Sequence, residues 1–319
     1  DRFFRSEPSE VCKKERMKFI APKTNDRTET GKIAFYCRVL EVTRQGFYDY
    51  LKNRDNPRKY EALAAEMMEI VDEDECNDTY GRKRMYYALL QKHPDGESVP
   101  GESTVYRVMN EIGITHRPRR KPNGITKADR DAMKSDDPVK REFKANKPCE
   151  KCVTDITEIK GKDGKLYTSV IFDCFDLTAL GLSMDTNMKA ELCVETVKNA
   201  VKSYPELKGA ILHSDRGSQY TSEKYREILK HAGFVQSMNS AGGRCHDNAR
   251  CESMWARIKE ELFYSRNRKS EDYTVAELKT MIRRYYMSYW NNRRICSANG
   301  GLPPAVKRKK YYESLVSAA

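Results

Sequence analysis

A chain of 319 residues, 39 % hydrophobic and 33 % charged, is long enough for two or three cores, which argues against one small module. Its formal net charge of +12, from 59 Lys plus Arg against 47 Asp plus Glu, and a pI near 9.1 point to a polyanionic partner, nucleic acid first, although a merely soluble basic protein has the same totals. No apolar run approaches the roughly 20 residues that span a bilayer, and Asp1-Arg2-Phe3-Phe4-Arg5 is no signal peptide, so a cytoplasmic, nucleoid-associated location is expected.

Residues 1 to about 30 are polar without a sustained apolar period, and an extended or loosely helical arm is expected there. Ile33, Tyr36, Cys37 and Leu40 then suit a short helix, Glu41-Val42 a turn, and Thr43 the N-cap of a second helix carrying Phe47, Tyr48 and Leu51. That helix-turn-helix shape, closing a first domain at residues 1–56, serves either DNA contact through its second helix or simple packing. Residues 57–115 read as an all-α module. A helix from Tyr60 to Asp74 buries Leu63, Met67, Ile70 and Val71; another starts near Gly81; a third, capped by Ser103, ends at Gly113. Arg82, Lys83 and Arg84 form a like-charged run at a helix start, which opposes the dipole; a phosphate partner explains it better than a solvated face does.

His116 to Asn123 holds five basic residues and two prolines in eight, so residues 116–139 are expected to be a basic linker, with Arg117, Arg119, Arg120 and Lys121 on a DNA backbone. From 140 to 265 strands and helices alternate. Val153–Ile159, Tyr167–Phe175 and Ala179–Met184 read as strands, Ala190–Tyr204 as a helix, Ala210–His213 as a strand, Ser222–His231 as a helix and Phe234–Met238 as a last strand. Periodicity alone gives a mixed α/β domain. Asp215 stands where a short apolar strand gives way to a polar turn, Asp155 lies 60 positions upstream in a second apolar-flanked run, and Glu252 opens a helix whose buried stripe is Cys251, Trp255, Ile258 and Leu262. The three suggest a metal-binding carboxylate trio, and Lys259 shares the face of Glu252.

Residues 266–319 are expected to be helical and basic. A helix from Val275 to about Trp290 carries Leu278, Ile282, Tyr285 and Tyr289, and Arg293 and Arg294 follow it as candidate DNA contacts. Lys307-Arg308-Lys309-Lys310 is either phosphate-directed or disordered. Ten scattered cysteines fit reduced thiols; Cys149-x-x-Cys152 could be half of a zinc site with Cys245, His246 or Cys251, but no second pair follows at finger spacing.

Thr154-Asp155-Ile156-Thr157, His213-Ser214-Asp215-Arg216-Gly217-Ser218-Gln219-Tyr220, Ser237-Met238 and Asp247-Asn248-Ala249 with Glu252-Ser253 occur in the order of one family. The chain resembles the insertion sequence 3 transposases, which share a catalytic core with retroviral integrases, over roughly residues 140–305. It departs in one respect: 36 residues separate Asp215 from Glu252, one more than the family pattern, in a loop that absorbs an insertion cheaply. The resemblance implies a multidomain protein with a ribonuclease-H-like core. In its catalysis Asp155, Asp215 and Glu252 would hold two Mg²⁺ ions, with Mn²⁺ able to substitute. His213, Ser214, Gln219 and Asn248 would support these carboxylates or position DNA, and Lys259 would meet the terminal phosphate. Water would free a 3′-OH at an element end, and that hydroxyl would attack a second phosphodiester. The partners implied are double-stranded element ends, target DNA and at least one further copy of the chain. A nuclease on the same fold and a DNA-binding regulator without activity are the rival readings.

Overall fold

Lys13–Lys23 (α1) is a helix, the second of the two forms expected of the N-terminal arm, and Ile20 and Ala21 bury a stripe too short to register as a period. It packs on α2 (Thr30–Val39) and α3 (Arg44–Asn53) through Ile33, Cys37, Leu40 and Phe47. Glu41 makes the tight turn between these two with φ +52°, and the Thr43 side chain caps α3 by accepting from the Gly46 N–H at 3.1 Å. The computed structural model describes residues 13–24, 30–54, 60–96, 98–115, 143–238, 249–264 and 268–317. The chain divides into two compact units, 1–63 and 64–319.

The second unit takes in α4 (Glu61–Asp72) from Ala64 onward, a 3-10 turn at Glu75–Thr79, α5 (Arg82–Lys92) and α6 (Glu102–Ile112). α6 starts earlier than a Ser103 cap allows, since the Gly101 carbonyl already accepts from Thr104 and Val105. The sheet follows: β1 (Lys151–Lys160), β2 (Lys165–Asp173) and β3 (Ala179–Asp185) form an antiparallel meander, and α7 (Ala190–Ser203) crosses to β4 (Ile211–Ser214). A short α8 (Ser218–Thr221) and α9 (Glu223–Ala232) lead to β5 (Val235–Met238), and the order β3-β2-β1-β4-β5 puts β1, β4 and β5 in parallel, the ribonuclease-H-like arrangement. α7 and α9 cover one face, with Val197 of α7 and Leu229 of α9 in one cluster with Ile171, Leu180 and Leu212 of the strands. α7 lies close to β3, because a Cβ on Gly181 would stand 2.5 Å from the Thr196 carbonyl oxygen.

The other face is covered by α10 (Ala249–Leu262), α11 (Val275–Arg283) and a π-helical stretch at Arg284–Trp290, over Val153, Val170, Phe172 and Leu182, and α12 (Pro304–Ser317) follows at the end of the unit. The sequence predicts a single α-helix to Trp290. The π widening brings both ring pairs, Tyr285 with Tyr286 and Tyr289 with Trp290, inside together. Residues 64–115 belong to the same unit as this core, not to a module apart: Tyr289 donates to Asn77 Oδ1 at 3.0 Å and Arg284 to Asp74 Oδ2 at 2.6 Å. Lys307 to Lys310 are helical, which overturns the expectation of disorder, and the run divides: Lys309 and Lys310 are exposed while Lys307 and Arg308 turn inward. The Arg308 guanidinium is buried on Asp173 and Asp176, and Lys307 Nζ donates to the Phe175 carbonyl at 2.6 Å. No helix among the described residues is long and apolar enough to cross a membrane.

Candidate active site

Strand register brings two of the three carboxylates together. β1 and β4 pair in parallel as far as Val153 opposite His213; Asp155 follows two residues on along β1, and Asp215 two residues on, just past the end of β4 at Ser214. β4 is only four residues long, and its end is made by Asp215 itself: Oδ1 accepts from the Gly217 N–H at 2.9 Å and turns the chain into α8. A Cβ on Gly217 would lie 3.1 Å from that same oxygen and 2.9 Å from Gln219 Oε1, so a side chain there would push on the Asp215 carboxylate. Both carboxylates act on the buried Cys193 thiol, which burial first, and then Asp215 and Asp155, push up to about 12.

α10 supplies the third side. Its inner face, Cys251, Met254, Trp255, Ile258 and Leu262, is buried against the sheet, and Trp255 Nε1 donates to Asp155 Oδ2 at 3.2 Å. Glu252 lies in the first turn of α10, three residues before Trp255; its side chain is outside the described residues. Lys259, half-buried two turns further along, has its pKa lowered by burial, with Glu158 on β1 pulling the other way. α10 therefore runs along β1 in the same direction, Trp255 over Asp155 and Lys259 beside Glu158.

The supporting residues divide. His213 is buried, its Nδ1 3.0 Å from Ser237 Oγ and its ring edge-on to Phe143, so it stitches β4 to β5. Ser214 Oγ donates to the Asp215 carbonyl at 3.0 Å, and Gln219 Nε2 ties α8 to the Met188 carbonyl at 3.1 Å. Asn248, Arg117, Arg119, Arg120 and Lys121 lie outside the described residues. Arg82 and Lys83 are exposed, Arg82 pairing with Glu102 at 2.6 Å, and Arg293 is exposed 3.8 Å from Asp74.

Arg84 and Arg294, expected from the sequence as DNA contacts, turn inward to Glu261. Arg294 is 5 % exposed and grips Glu261 through Nε at 2.9 Å and Nη2 at 2.6 Å, while Arg84 Nη1 reaches the same carboxylate at 2.9 Å. A fully buried carboxylate needs such partners. Burial opposes the charge on Glu261, but Arg294 and Arg84 outweigh it and hold the pKa down at about 2. Sequence reasoning missed Glu261, although it falls one helical step beyond Ile258 on the buried stripe of α10. It placed Trp255 on that stripe without giving it a role.

Cys149 and Cys152 are buried thiols. Burial is the main cause pushing Cys149 up to about 12, and Arg308 Nη1 lies 3.7 Å from its sulfur. Cys251 packs in the opposite core layer, and Cys245 and His246 lie outside the described residues. Among the described residues no three His, Cys, Asp or Glu side chains group as a metal set.

Residues 145–243 match the family described as integrase core domain. InsK of insertion sequence element IS150 from Escherichia coli (strain K12) is 31 % identical over 282 residues, covering 86 % of this chain and 93 % of that protein. The transposase InsF for insertion sequence IS3A of the same organism is 28 % identical, covering 84 % and 91 %. Among solved structures, the catalytic core domain of HTLV-2 integrase in complex with magnesium, in its trimeric form, is 16 % identical over 52 % of this chain and 99 % of that one, with a TM-score of 0.39.

Proposed function

The chain belongs to the insertion sequence 3 family of transposases, and from that premise we propose that Asp155, Asp215 and Glu252 form the centre of its chemistry. It is a polynucleotidyl transferase: it cleaves insertion-element ends and joins the freed 3′-OH to a phosphodiester by metal-dependent transesterification. The observation that supports the assignment of residues is the β1–β4 register, which ends at Val153 opposite His213 with Asp155 and Asp215 each two residues beyond, together with the Trp255 indole that ties α10 to Asp155.

An all-oxygen donor set fits hard divalent cations. Asp155, Asp215 and Glu252 would hold two Mg²⁺, or Mn²⁺ in their place. Such ions neutralise charge on the phosphodiester and lower the pKa of the attacking water. The chain's own part is preorganisation. The Trp255 N–H and the Gly217 N–H are neutral donors, so they orient the two carboxylates without cancelling their charge. His213 and Ser237 brace the strand end that carries Asp215.

Arg82, Lys83, Arg117, Arg119, Arg120, Lys121, Lys259 and Arg293 are the residues we assign to DNA phosphates, and α3 to reading the element end. One trio serves one 3′ end at a time, so two ends need at least two copies of the chain. The test is incubation with Mg²⁺ and element-end duplexes. Nicked and joined products are expected from the natural chain, and neither from Asp155→Asn, Asp215→Asn or Glu252→Gln, all three still binding DNA. Joining by any one of these variants sinks the assignment, and nicking without joining by the natural chain makes it a nuclease.

A further inference from the structure

α10 carries Glu252 in its first turn and Glu261 in its last, about 14 Å apart along the helix axis at 1.5 Å per residue. Glu261 is held from three directions. Arg294 binds it bidentately, Tyr285 donates to Oε2 at 2.8 Å, and Arg84 reaches it from α5, 177 positions away in the chain. Arg84 is itself bracketed: Nη2 donates to the Thr79 carbonyl at 2.6 Å, and its guanidinium lies 4.9 Å from the centre of the Tyr80 ring. Nearby, Tyr80 accepts from the Ile295 N–H at 3.3 Å. One turn of chain, Asp74 to Arg84, is thus knitted to the helix that bears the third carboxylate.

We propose that Arg84 is a positioning residue: through Glu261 it sets α10 along its axis, and so sets Glu252 against Asp155 and Asp215. The proposal rests on the transposase reading and extends it. Arg82 and Lys83 precede Arg84 and are exposed, so DNA held on that side of α5 steadies the residue that grips α10. Substrate binding by the helical segment is in this way coupled to the geometry of catalysis.

The charge count shows which variant isolates the effect. Arg257, also on α10, has its pKa lowered by burial and then by Arg294, so three guanidiniums gather near the single carboxylate of Glu261. Loss of Glu261 leaves them repelling one another, which threatens the fold. Loss of Arg84 leaves the bidentate Arg294 pair in place.

Full-length Arg84→Gln and Arg84→Lys are compared with the natural chain and with Asp155→Asn, using element-end duplexes and Mg²⁺. Three quantities are read: Kd for the duplex, the single-turnover joining rate at saturating DNA, and hydrogen exchange of the α10 amides. Arg84→Gln is expected to lose joining on the order of tenfold to a hundredfold, as misplaced catalytic groups do, with Kd nearly unchanged and faster exchange in the first turn of α10. Arg84→Lys restores part of the rate, since an ammonium reaches Glu261 but cannot also fork to Thr79. Joining by Arg84→Gln at the natural rate overturns the proposal, and so does a loss confined to Kd. If circular dichroism shows Arg84→Gln unfolded, Arg84→Lys decides in its place, and an unaltered rate and exchange in that variant also overturn the proposal. A natural chain that fails to join puts the fault in the transposase reading instead.

Discussion

The indole Nε1 of Trp255 donates to Oδ2 of Asp155 at 3.2 Å, a bond across 100 positions of sequence that locks the helix carrying Glu252 onto the strand carrying Asp155. Trp255 is 5 % exposed and meets Phe172 and Tyr286 edge-on, so its ring is core while its N–H serves the site. Trp255→Phe keeps most of the ring packing and removes the donor. We expect a stability loss of about 1–3 kcal/mol from the lost bond and the smaller ring, and a joining rate lower by roughly tenfold. Denaturant unfolding and single-turnover joining check the two halves separately, and an unchanged rate would deny the indole its positioning role.

The close approach of α7 to β3 supplies a second expectation. A Cβ at Gly181 would stand 2.5 Å from the Thr196 carbonyl, 2.8 Å from Ala200 Cβ and 3.0 Å from Ala200 N, and two of these three are backbone atoms that cannot swing aside. Gly181→Ala therefore costs about 1–3 kcal/mol by overpacking, although alanine is the smallest change available. Thermal unfolding of the variant is the measurement, and a melting temperature equal to that of the natural chain would contradict the packing described.

Asp215 and Glu252 stand out in the sequence because each stands at a change of pattern, an apolar run that ends or a helix that begins, and Asp155 because it is an acid inside an apolar-flanked strand. The strands of the core fall within a residue or two of their expected places for the same reason, since alternation and apolar runs mark which face is buried. What escapes is written in pairs far apart. Arg84 sits in a run of three cations and looks like its exposed neighbours; only the fold shows that it turns inward to Glu261. Arg308 hides in the same way among lysines, its partners Asp173 and Asp176 lying 135 and 132 positions back. Composition shows that a charge exists, and nothing local shows which way it points.

The buried trio Arg84, Glu261 and Arg294 carries a pH signature. The pKa of Glu261 in the fold, about 2, lies below its ordinary 4.5. A depressed carboxylate contributes stability that is present in full above pH 4.5 and is lost as the pH falls towards 2. The loss from this group amounts to as much as about 3 kcal/mol. Replacing the trio together, Arg84→Met with Glu261→Leu and Arg294→Met, should remove that part of the acid sensitivity and leave stability at pH 7 about equal or higher, as apolar replacements of buried ion pairs often do. Unfolding free energies at pH 5 and pH 3 for both proteins decide it, and equal acid slopes would refute the assignment.

Where the chain can be cut follows from the same contacts. Asp74, Asn77, Tyr80 and Arg84 bond to Arg284, Tyr289, Ile295 and Glu261, and Cys76 lies in one core layer with Tyr289 and Trp290. A fragment that starts near residue 140 strips all of these from the core. It leaves Glu261 hydrogen-bonded to one guanidinium instead of two and uncovers the aromatic layer, a loss of about 3–5 kcal/mol on the scale of a broken buried ion pair. A fragment that starts at Tyr60 keeps them, and it should unfold in one cooperative transition with the melting temperature of the second unit in the full chain. Removal of residues 1–59 deletes α1, α2 and α3, so this fragment is expected to join DNA with less discrimination between element ends and random duplex. Calorimetry of both fragments and competition binding of the longer one are the measurements. Equal melting temperatures for the two would show that residues 64–115 are not integral to the catalytic unit.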